Sequence, residues 1–308
     1  MTNVLQTGDA IRQRQNEDSS LKLLAAQRQI YCDEKLLFGV QLALASTNAL
    51  AGAVIALLPG TNLLVIGSGL IVTILNEALA FATGNQQKQA ARIQEQFDCY
   101  VLGLPPNPLH TGDPEAPETI VNASGRYDPA KAPPLQDWYV GNLQKLPLTA
   151  ARILCQRTNC SYDIGLRERY GRALWIAFGV SLVIVTLIGT VGGMTVFDWL
   201  SKLVGPLLPA LCLILKHNRA NSESITRLTE LRNHADQLWN QCQSQSLSEN
   251  KLLERSRRLQ DQLFDHRSRS LLQFEWLYKL SRPSVESVVT ASADSMIEEY
   301  LRRNTINK

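Results

Sequence analysis

The chain has 308 residues, of which 45% are hydrophobic, and a formal net charge of +3. So small a net charge gives no support to nucleic-acid binding by the chain as a whole, and we expect no nucleic-acid partner. The averages conceal two blocks that are almost free of charge, about residues 36–84 and 174–215, while the rest of the chain is polar and charged. No useful length alternates polar and apolar residues as a strand does, so we predict an all-α integral membrane protein.

The first segment, residues 1–35, is predicted to be a cytoplasmic helix. Capping residues occur from Asn16 to Ser20, and Leu21–Lys35 contains neither glycine nor proline. Because nothing interrupts this stretch before the first apolar block, we predict one long helix that rises from the cytoplasm into the membrane.

Residues 36–84 are predicted to form the first transmembrane hairpin. Leu36–Leu58 is uncharged over about 23 residues, enough at 1.5 Å per residue to cross a hydrocarbon core of about 30 Å. Pro59–Asn62 has the composition of a tight turn, and Leu63–Thr83 supplies a second span of similar length. A connection this short places the two helices antiparallel.

Polar side chains interrupt this apolar hairpin at Gln41, Asn48, Thr73 and Glu77. Together with small residues at helical spacing, they form a polar stripe on each helix. A carboxylate near the middle of a span costs about 2.5–3.5 kcal/mol, which the surrounding apolar residues offset. Two interpretations stay open: hydrogen bonding between helices, or the lining of a water-filled pore in a homo-oligomer.

Residues 85–173 are predicted to form a central cytoplasmic segment. Gln86–Phe97 continues the helix of the second span, whereas Pro105–Pro134 is rich in proline, glycine and acidic residues and is predicted to be an irregular loop. The helical pattern returns over Asp137–Arg172 and leads into the next apolar block.

Residues 174–215 are predicted to form the second hairpin, with spans at Leu174–Val196 and Leu200–Leu215. The fourth span is short and contains Pro206 and Pro209, so a buried soluble helix is the alternative there. The third contains Gly189 and Gly193 in a GxxxG match, which permits close helix packing either within one subunit or between subunits.

Residues 216–308 are predicted to be cytoplasmic amphipathic helices, packed as a pair. Apolar residues recur at helical spacing from Ile225 to Leu238 and again from Leu252 to Phe264, with charges between them.

The orientation follows from the distribution of lysine and arginine, which concentrate on the cytoplasmic side of membrane helices. Every flank of the predicted spans except the two hairpin turns is basic, through Arg12, Arg14, Lys22, Arg28 and Lys35, then Lys88 and Arg92, then Arg167, Arg169 and Arg172, and finally Lys216 and Arg219. We therefore place both termini and the central segment in the cytoplasm of a multi-pass protein.

Sequence signatures of an enzyme are missing. There is no P-loop, HExxH or GxSxG motif, the four histidines are scattered, and the six cysteines include no CxxC pair. We predict that the chain is not an enzyme and has no cofactor and no metal site.

Short motifs beside the predicted spans resemble a known family, the SMODS-associating four-transmembrane effectors of bacterial cyclic-oligonucleotide anti-phage (CBASS) systems. The matching stretches are Arg14–Asn16, Leu24–Tyr31, Phe97–Asp98, Val101–Pro105, Asp137–Tyr139, Cys155–Asn159, Tyr162–Asp163 and Leu166–Arg167. Two positions depart from the family pattern, because Pro106 and Tyr162 stand where tryptophan is expected.

The resemblance implies a membrane-disrupting or pore-forming effector in the bacterial inner membrane. A partner nucleotidyltransferase would make a cyclic oligonucleotide on infection, and the effector would then damage the lipid bilayer in abortive infection. The alternative is a constitutive small channel, transporter subunit or membrane scaffold without a nucleotide ligand.

The stretch before the third span is the candidate ligand-binding site. Phosphates suit arginine forks and bases suit aromatic faces, and both residue types occur there. Arg157 is the leading candidate because it lies further from the membrane boundary than Arg169 and Arg172 and belongs to the stretch that best matches the family. The remaining candidates are Gln156, Asn159, Arg167, Trp138, Tyr139 and Tyr162.

Overall fold

The computed structural model is almost entirely helical over the residues that it describes, 7–55, 62–129, 135–139, 141–200, 204–270 and 272–306. In chain order the helices are α1 (Asp9–Gln15), α2 (Asp18–Ile55), α3 (Asn62–Leu102), α4 (Pro108–Thr111), α5 (Pro117–Gly125), α6 (Leu148–Val191), α7 (Val196–Trp199), α8 (Gly205–Gln243), α9 (Glu249–Arg269) and α10 (Glu275–Ile306). A 3₁₀ turn at Leu143–Lys145 precedes α6. No strand occurs in these ranges, which confirms the all-α class for the described residues.

Four long helices form two pairs. α2 packs along α3, and α6 packs along α8. α2 has 38 residues and is therefore roughly 57 Å long. It runs unbroken through Leu21–Lys35, and α3 continues through Gln86–Phe97, so both predicted continuous helices are confirmed.

Among the described residues, α6 is the helix that is long and apolar enough to cross a membrane. Beyond Leu174 most of its large side chains are exposed, among them Trp175, Ile176, Val180, Val183 and Leu187. A continuous apolar surface of this kind suits lipid better than water.

The other three predicted spans stay predictions. The first lies in α2, but its last residues, 56–58, fall outside the described ranges. The second lies in α3. The fourth begins with residues 201–203, which are also outside, and continues in α8.

α6, which contains the third predicted span, ends at Val191 and not at the predicted Val196, because glycines terminate the helix. Gly193 has a φ of +59°, which breaks the helix before α7. The indole of Trp199 in α7 packs against Gly189 so closely that a Cβ there would collide with it. Its Nε1 also donates to the carbonyl of Val185 at 3.0 Å. Gly189 of the GxxxG match therefore serves packing within one chain.

Three polar segments differ from the predictions. The stretch Pro105–Pro134, predicted to be irregular, contains the helices α4 and α5. Each has a proline in its first turn, where the missing backbone N–H costs little. Residues 130–134 lie outside the described ranges. Helix was predicted from Asp137, but α6 begins only at Leu148, after Pro147. The carboxyl-terminal region has a further helix, α10, beyond the predicted pair.

The stretches of the helices outside the two apolar blocks pack into one body, which is polar on its surface and has a large apolar core. α1, α3, α6, α8, α9 and α10 all contribute, with Phe97, Leu102, Leu154 and Leu263 among the most buried side chains. This body holds the long helices at fixed positions next to one another, and the candidate site lies between them.

Candidate functional site

A short turn at Asp137–Tyr139 is held in place by the end of α1. The amide of Asp137 donates to Oδ1 of Asn16 at 2.9 Å, and Nδ2 of Asn16 donates back to Oδ1 of Asp137 at 2.9 Å. Gln15 also makes two reciprocal hydrogen bonds, with the backbone of Tyr139. The Tyr139 amide donates to Gln15 Oε1 at 2.7 Å, and Gln15 Nε2 donates to the Tyr139 carbonyl at 3.2 Å. Asp137 has a φ of +51°, a left-handed conformation that costs energy. The four hydrogen bonds stabilise it and position the aromatic side chains of the turn.

Asp98 of α3 is completely buried and accepts hydrogen bonds from three side chains. The hydroxyl of Tyr139 donates to Oδ1 at 2.6 Å, while Gln260 Nε2 and Arg267 Nη1 donate to Oδ2 at 2.9 and 2.5 Å. Asn159 adds a bond from its Nδ2 to the Tyr139 hydroxyl at 3.2 Å. A buried carboxylate is tolerated when it is paired and hydrogen-bonded in this way. The network ties the turn to α3, α6 and α9.

Two adjoining chambers open between α2, α6, α10 and this turn, and together they are named the central cleft. The larger chamber has about 960 Å³ of empty space and the smaller about 600 Å³, open mouths included. Trp138, Asn159, Tyr162 and Tyr278 line both chambers and mark the point where they meet. The charged residues of the lining are Arg28, Lys35, Asp163, Arg167, Arg267 and Glu275 in the larger chamber, and Asp137, Arg282 and Glu286 in the smaller.

Arg28 and Lys35 of α2 face Glu275 and Tyr278 of α10 in the larger chamber. Lys35 Nζ lies 2.7 Å from Glu275 Oε2, and Arg28 Nη2 lies 3.5 Å from Glu275 Oε1. Both cations also lie over the Tyr278 ring, each 4.9 Å from its centroid. One carboxylate and one aromatic ring therefore engage both cations of α2.

The hydroxyl of Tyr278 accepts two hydrogen bonds, from Arg28 Nη1 at 3.2 Å and from the Tyr162 hydroxyl at 3.3 Å. A phenol oxygen has two lone pairs and one proton, so Tyr278 keeps its own proton to donate. Burial raises the pKa of Tyr278, but the positive charge of Arg28 and the two hydrogen bonds outweigh it, and the pKa lies below its ordinary value. A more acidic phenol is the better donor to an anion.

Two buried guanidinium nitrogens at the cleft lack a hydrogen-bond partner among the described residues. They are Nε of Arg28 and Nη1 of Arg282. Arg282 forms an ion pair from its Nε to Glu286 Oε2 at 3.1 Å. A buried donor without a partner costs about 1–3 kcal/mol, so an anionic ligand that accepted from these nitrogens would recover that energy.

The opposite wall holds a second ion pair. Asp163 Oδ2 lies 3.1 Å from Arg167 Nε and 3.2 Å from His266 Nε2. Burial raises the pKa of Asp163, but Arg167 and His266 outweigh it, and the pKa lies well below the usual range. Asp163 is therefore ionised at neutral pH and already balances part of the charge of Arg167.

Glu34 of α2, next to Lys35, leads to a pH prediction. Its side chain is 2% exposed, and its Oε2 has no hydrogen-bond partner among the described residues. Burial raises the pKa of Glu34 from 4.5 to about 8, although Lys35 opposes the shift. Between these two values the folded chain holds a proton that the unfolded chain has released, so stability falls as pH rises through this window.

We expect Glu34→Gln to remove this fall, because the amide does not titrate. The midpoint of thermal unfolding in detergent, measured for both proteins across the same pH window, checks it. An equal pH dependence in wild type and variant would contradict the assignment to Glu34.

Five of the predicted ligand-binding residues line the central cleft: Trp138, Tyr139, Asn159, Tyr162 and Arg167. Tyr162 supplies an aromatic face there, although tryptophan is the expected residue at this position. Tyr139 lines the smaller chamber, but its hydroxyl is engaged by the buried carboxylate of α3.

Gln156 and Arg157 are not among the residues that line the cleft. Gln156 is buried, where its Nε2 donates to the Ser256 carbonyl at 2.9 Å and to Gln260 Oε1 at 3.0 Å. Arg157 forms an ion pair from Nε to Asp236 Oδ1 at 2.5 Å. A ligand contact by either residue stays a prediction, and the site proposed below does not depend on it.

The predicted polar stripe lies in α2 and α3, but the side chains of its four members fall outside the described residues: Gln41, Asn48, Thr73 and Glu77.

The arginine and lysine residues of the cleft that the sequence did not single out as ligand-binding lie on α2, α9 and α10. Arg28 belongs to the stretch Leu24–Tyr31 that carries the resemblance, so a signal for it existed. Glu275, Tyr278 and Arg282 are more than 100 residues in sequence from Arg167, the last cleft residue of α6, and no local motif marks them.

Several stretches that build the cleft, in α2, in α6 and in the turn at Asp137–Tyr139, are among those that resemble a known family, and sequence comparison agrees. The sequence model of the family described as SMODS-associating 4TM effector domain matches residues 9–296. The chain belongs to this family. The match includes every cleft residue named above and confirms the predicted resemblance. The family description and the exposed apolar part of α6 both indicate a membrane protein.

The chain is also similar to a protein described as a probable CBASS effector molecule, from Bacillus cereus strain VD146. The two are 25% identical over 280 residues, which cover 87% of this chain and 92% of the relative. No solved structure matches the chain.

Proposed function

We propose that this chain is an anti-phage effector that damages the bacterial inner membrane when a cyclic oligonucleotide binds in the central cleft. The family and the description of the B. cereus relative support a defence effector. The observation that supports a nucleotide ligand is a pair of guanidinium groups, Arg28 and Arg282, each of which has one buried nitrogen without a hydrogen-bond partner among the described residues and lies beside aromatic rings.

The lining of the cleft suits the chemistry of a cyclic oligonucleotide. Arginine donors bind phosphodiester oxygens, and aromatic faces stack on bases with about 1–3 kcal/mol per base. Arg28, Lys35 and Arg282 supply the cations, and Trp138 and Tyr162 the aromatic faces. A partner nucleotidyltransferase would supply the ligand, and the binding step needs neither a cofactor nor a metal.

The apolar helices would act on the bilayer. Residues 36–84 and 174–215 form the two transmembrane hairpins in this proposal, while residues 1–35, 85–173 and 216–308 are cytoplasmic. Two observations support this arrangement. Basic residues lie at every flank except the hairpin turns, and the apolar surface of α6 is exposed. The active form would be a homo-oligomer in which several copies of the hairpins act together.

Titration of the purified full chain tests the ligand. We expect one member of a panel of cyclic di- and trinucleotides to bind the chain in lipid nanodiscs and to release dye from liposomes that contain it. No binding by any member would overturn the proposal and favour a constitutive channel, transporter subunit or scaffold. Binding without dye release would overturn the membrane-damage step.

Glu77 tests how the hairpins act. We expect Glu77→Leu to weaken permeabilisation of activated cells, measured by dye uptake, more than it lowers the amount of protein, because a polar stripe is useful in a pore only if water enters it. Full permeabilisation by a well-expressed Glu77→Leu variant would favour the interhelical hydrogen-bond interpretation.

A further inference from the structure

The first turns of α10 have an apolar face that no other described element covers. Trp276 is 64% exposed and Leu280 is 73% exposed. At 100° per residue these two side chains and Pro283, which is also exposed, lie on one side of the helix. Tyr278 and Arg282, which line the central cleft, lie on the other side.

Contacts made by the two residues next to Trp276 show where it lies along the direction of the long helices. Glu275 pairs with Lys35, the last residue before the apolar part of α2. Leu277 packs with Leu174, where the exposed apolar surface of α6 begins. Trp276 therefore lies at the level where two long helices change from polar to apolar.

A bilayer that surrounds the apolar part of α6 has its polar boundary at this level. Tryptophan is enriched at such boundaries because its ring is apolar and its N–H is polar. Trp175, also exposed, lies at the same level on α6, directly after Leu174. The exposed face of α10 is therefore continuous with the surface of α6 that suits lipid.

We propose that Trp276 and Leu280 are a lipid-contacting anchor, which seats the first turns of α10 in the headgroup region of the cytoplasmic leaflet. The inference rests on the membrane placement in the proposed function. It adds to the predicted spans a further membrane contact, made by the first turns of a helix that packs along α6 and does not cross. Because the same turns carry Tyr278 and Arg282, the ligand cleft and the lipid surface would share one piece of helix.

Quenching of tryptophan fluorescence by brominated lipids tests this anchor in the full chain. The difference in emission between wild type and Trp276→Phe gives the emission of Trp276 alone. The same subtraction with Trp175→Phe gives the emission of an exposed residue of α6 next to Leu174. With Trp239→Phe it gives the emission of a buried residue of the apolar core. The chain is placed in nanodiscs of ordinary or brominated phosphatidylcholine.

We expect the Trp276 emission to fall in brominated lipid by at least as large a fraction as that of Trp175, with Trp239 unchanged. Bromines near the headgroups should quench it more than bromines near the chain ends. Quenching of Trp175 without quenching of Trp276 would overturn the anchor and leave the membrane placement standing. Quenching of neither would overturn both.

Discussion

Asp98→Ala is expected to destabilise the chain by about 3–5 kcal/mol, because the substitution leaves Arg267 buried without its partner carboxylate. Tyr139 and Gln260 lose an acceptor at the same time. At about 2–4 °C per kcal/mol, the midpoint of thermal unfolding should fall by roughly 6–20 °C, as measured by circular dichroism in detergent. The turn that carries Trp138 would lose its anchor to α3, so nucleotide binding should fail as well.

A matched control is Asp236→Ala, which removes the partner of Arg157. This pair is more exposed, with 37% of the Asp236 side chain accessible, and such pairs contribute about 0–1 kcal/mol. We expect only a small shift of the midpoint. If the two variants lowered the midpoint equally, the Asp98 network would not be the stabilising centre described above.

Arg28→Ala is expected to weaken nucleotide binding by roughly 10- to 150-fold, since a charge-assisted hydrogen bond contributes about 1.5–3 kcal/mol. Isothermal titration of the full chain in nanodiscs measures this with whichever nucleotide binds wild type. Arg303→Ala serves as the control, because Arg303 is exposed and pairs only with the neighbouring Glu299 in the described structure. Unchanged affinity in Arg28→Ala would remove Arg28 from the binding site.

Glu275→Gln should act in the opposite direction. In the structure its carboxylate engages the cations of Arg28 and Lys35, so an incoming phosphate must displace it. Removing one partly exposed negative charge, worth about 0.5–1 kcal/mol, should tighten binding by roughly 2- to 5-fold. Weaker binding by Glu275→Gln would mean that Glu275 contacts the ligand instead of competing with it.

The helical class and the long helices were predictable because their signals are local. Leu21–Lys35 has no residue that interrupts a helix, and α2 runs through it. α10 was missed although its buried residues Leu277, Val285, Val289, Ala293 and Ile297 recur at multiples of four. Pro283 and the polar residues between them weaken the apparent pattern, and only packing on α6 shows that the helix continues past the proline.

The candidate site was predictable only in part, because ion pairs between distant elements decide which arginines are available. Arg157 is in a matching motif, but its partner Asp236 is 79 residues away and directs it out of the cleft lining. The sequence marks Arg28 as a basic flank of the first span and as part of a matching stretch but not as a ligand-binding residue, because its contact with Tyr278 joins residues 250 apart. Such pairings follow from tertiary structure, which one sequence without its fold does not reveal.

The absence of a joint along the four long helices limits how the molecule can be dissected. α2, α3, α6 and α8 each run unbroken from the polar body into an apolar stretch. A truncation at the membrane boundary would therefore sever every one of them and expose cut helix ends in place of a natural linker. Chimeras between relatives should exchange each long helical hairpin whole, with the junctions in the connections outside the hairpin, so that each part of the polar body keeps the apolar stretches with which it is continuous.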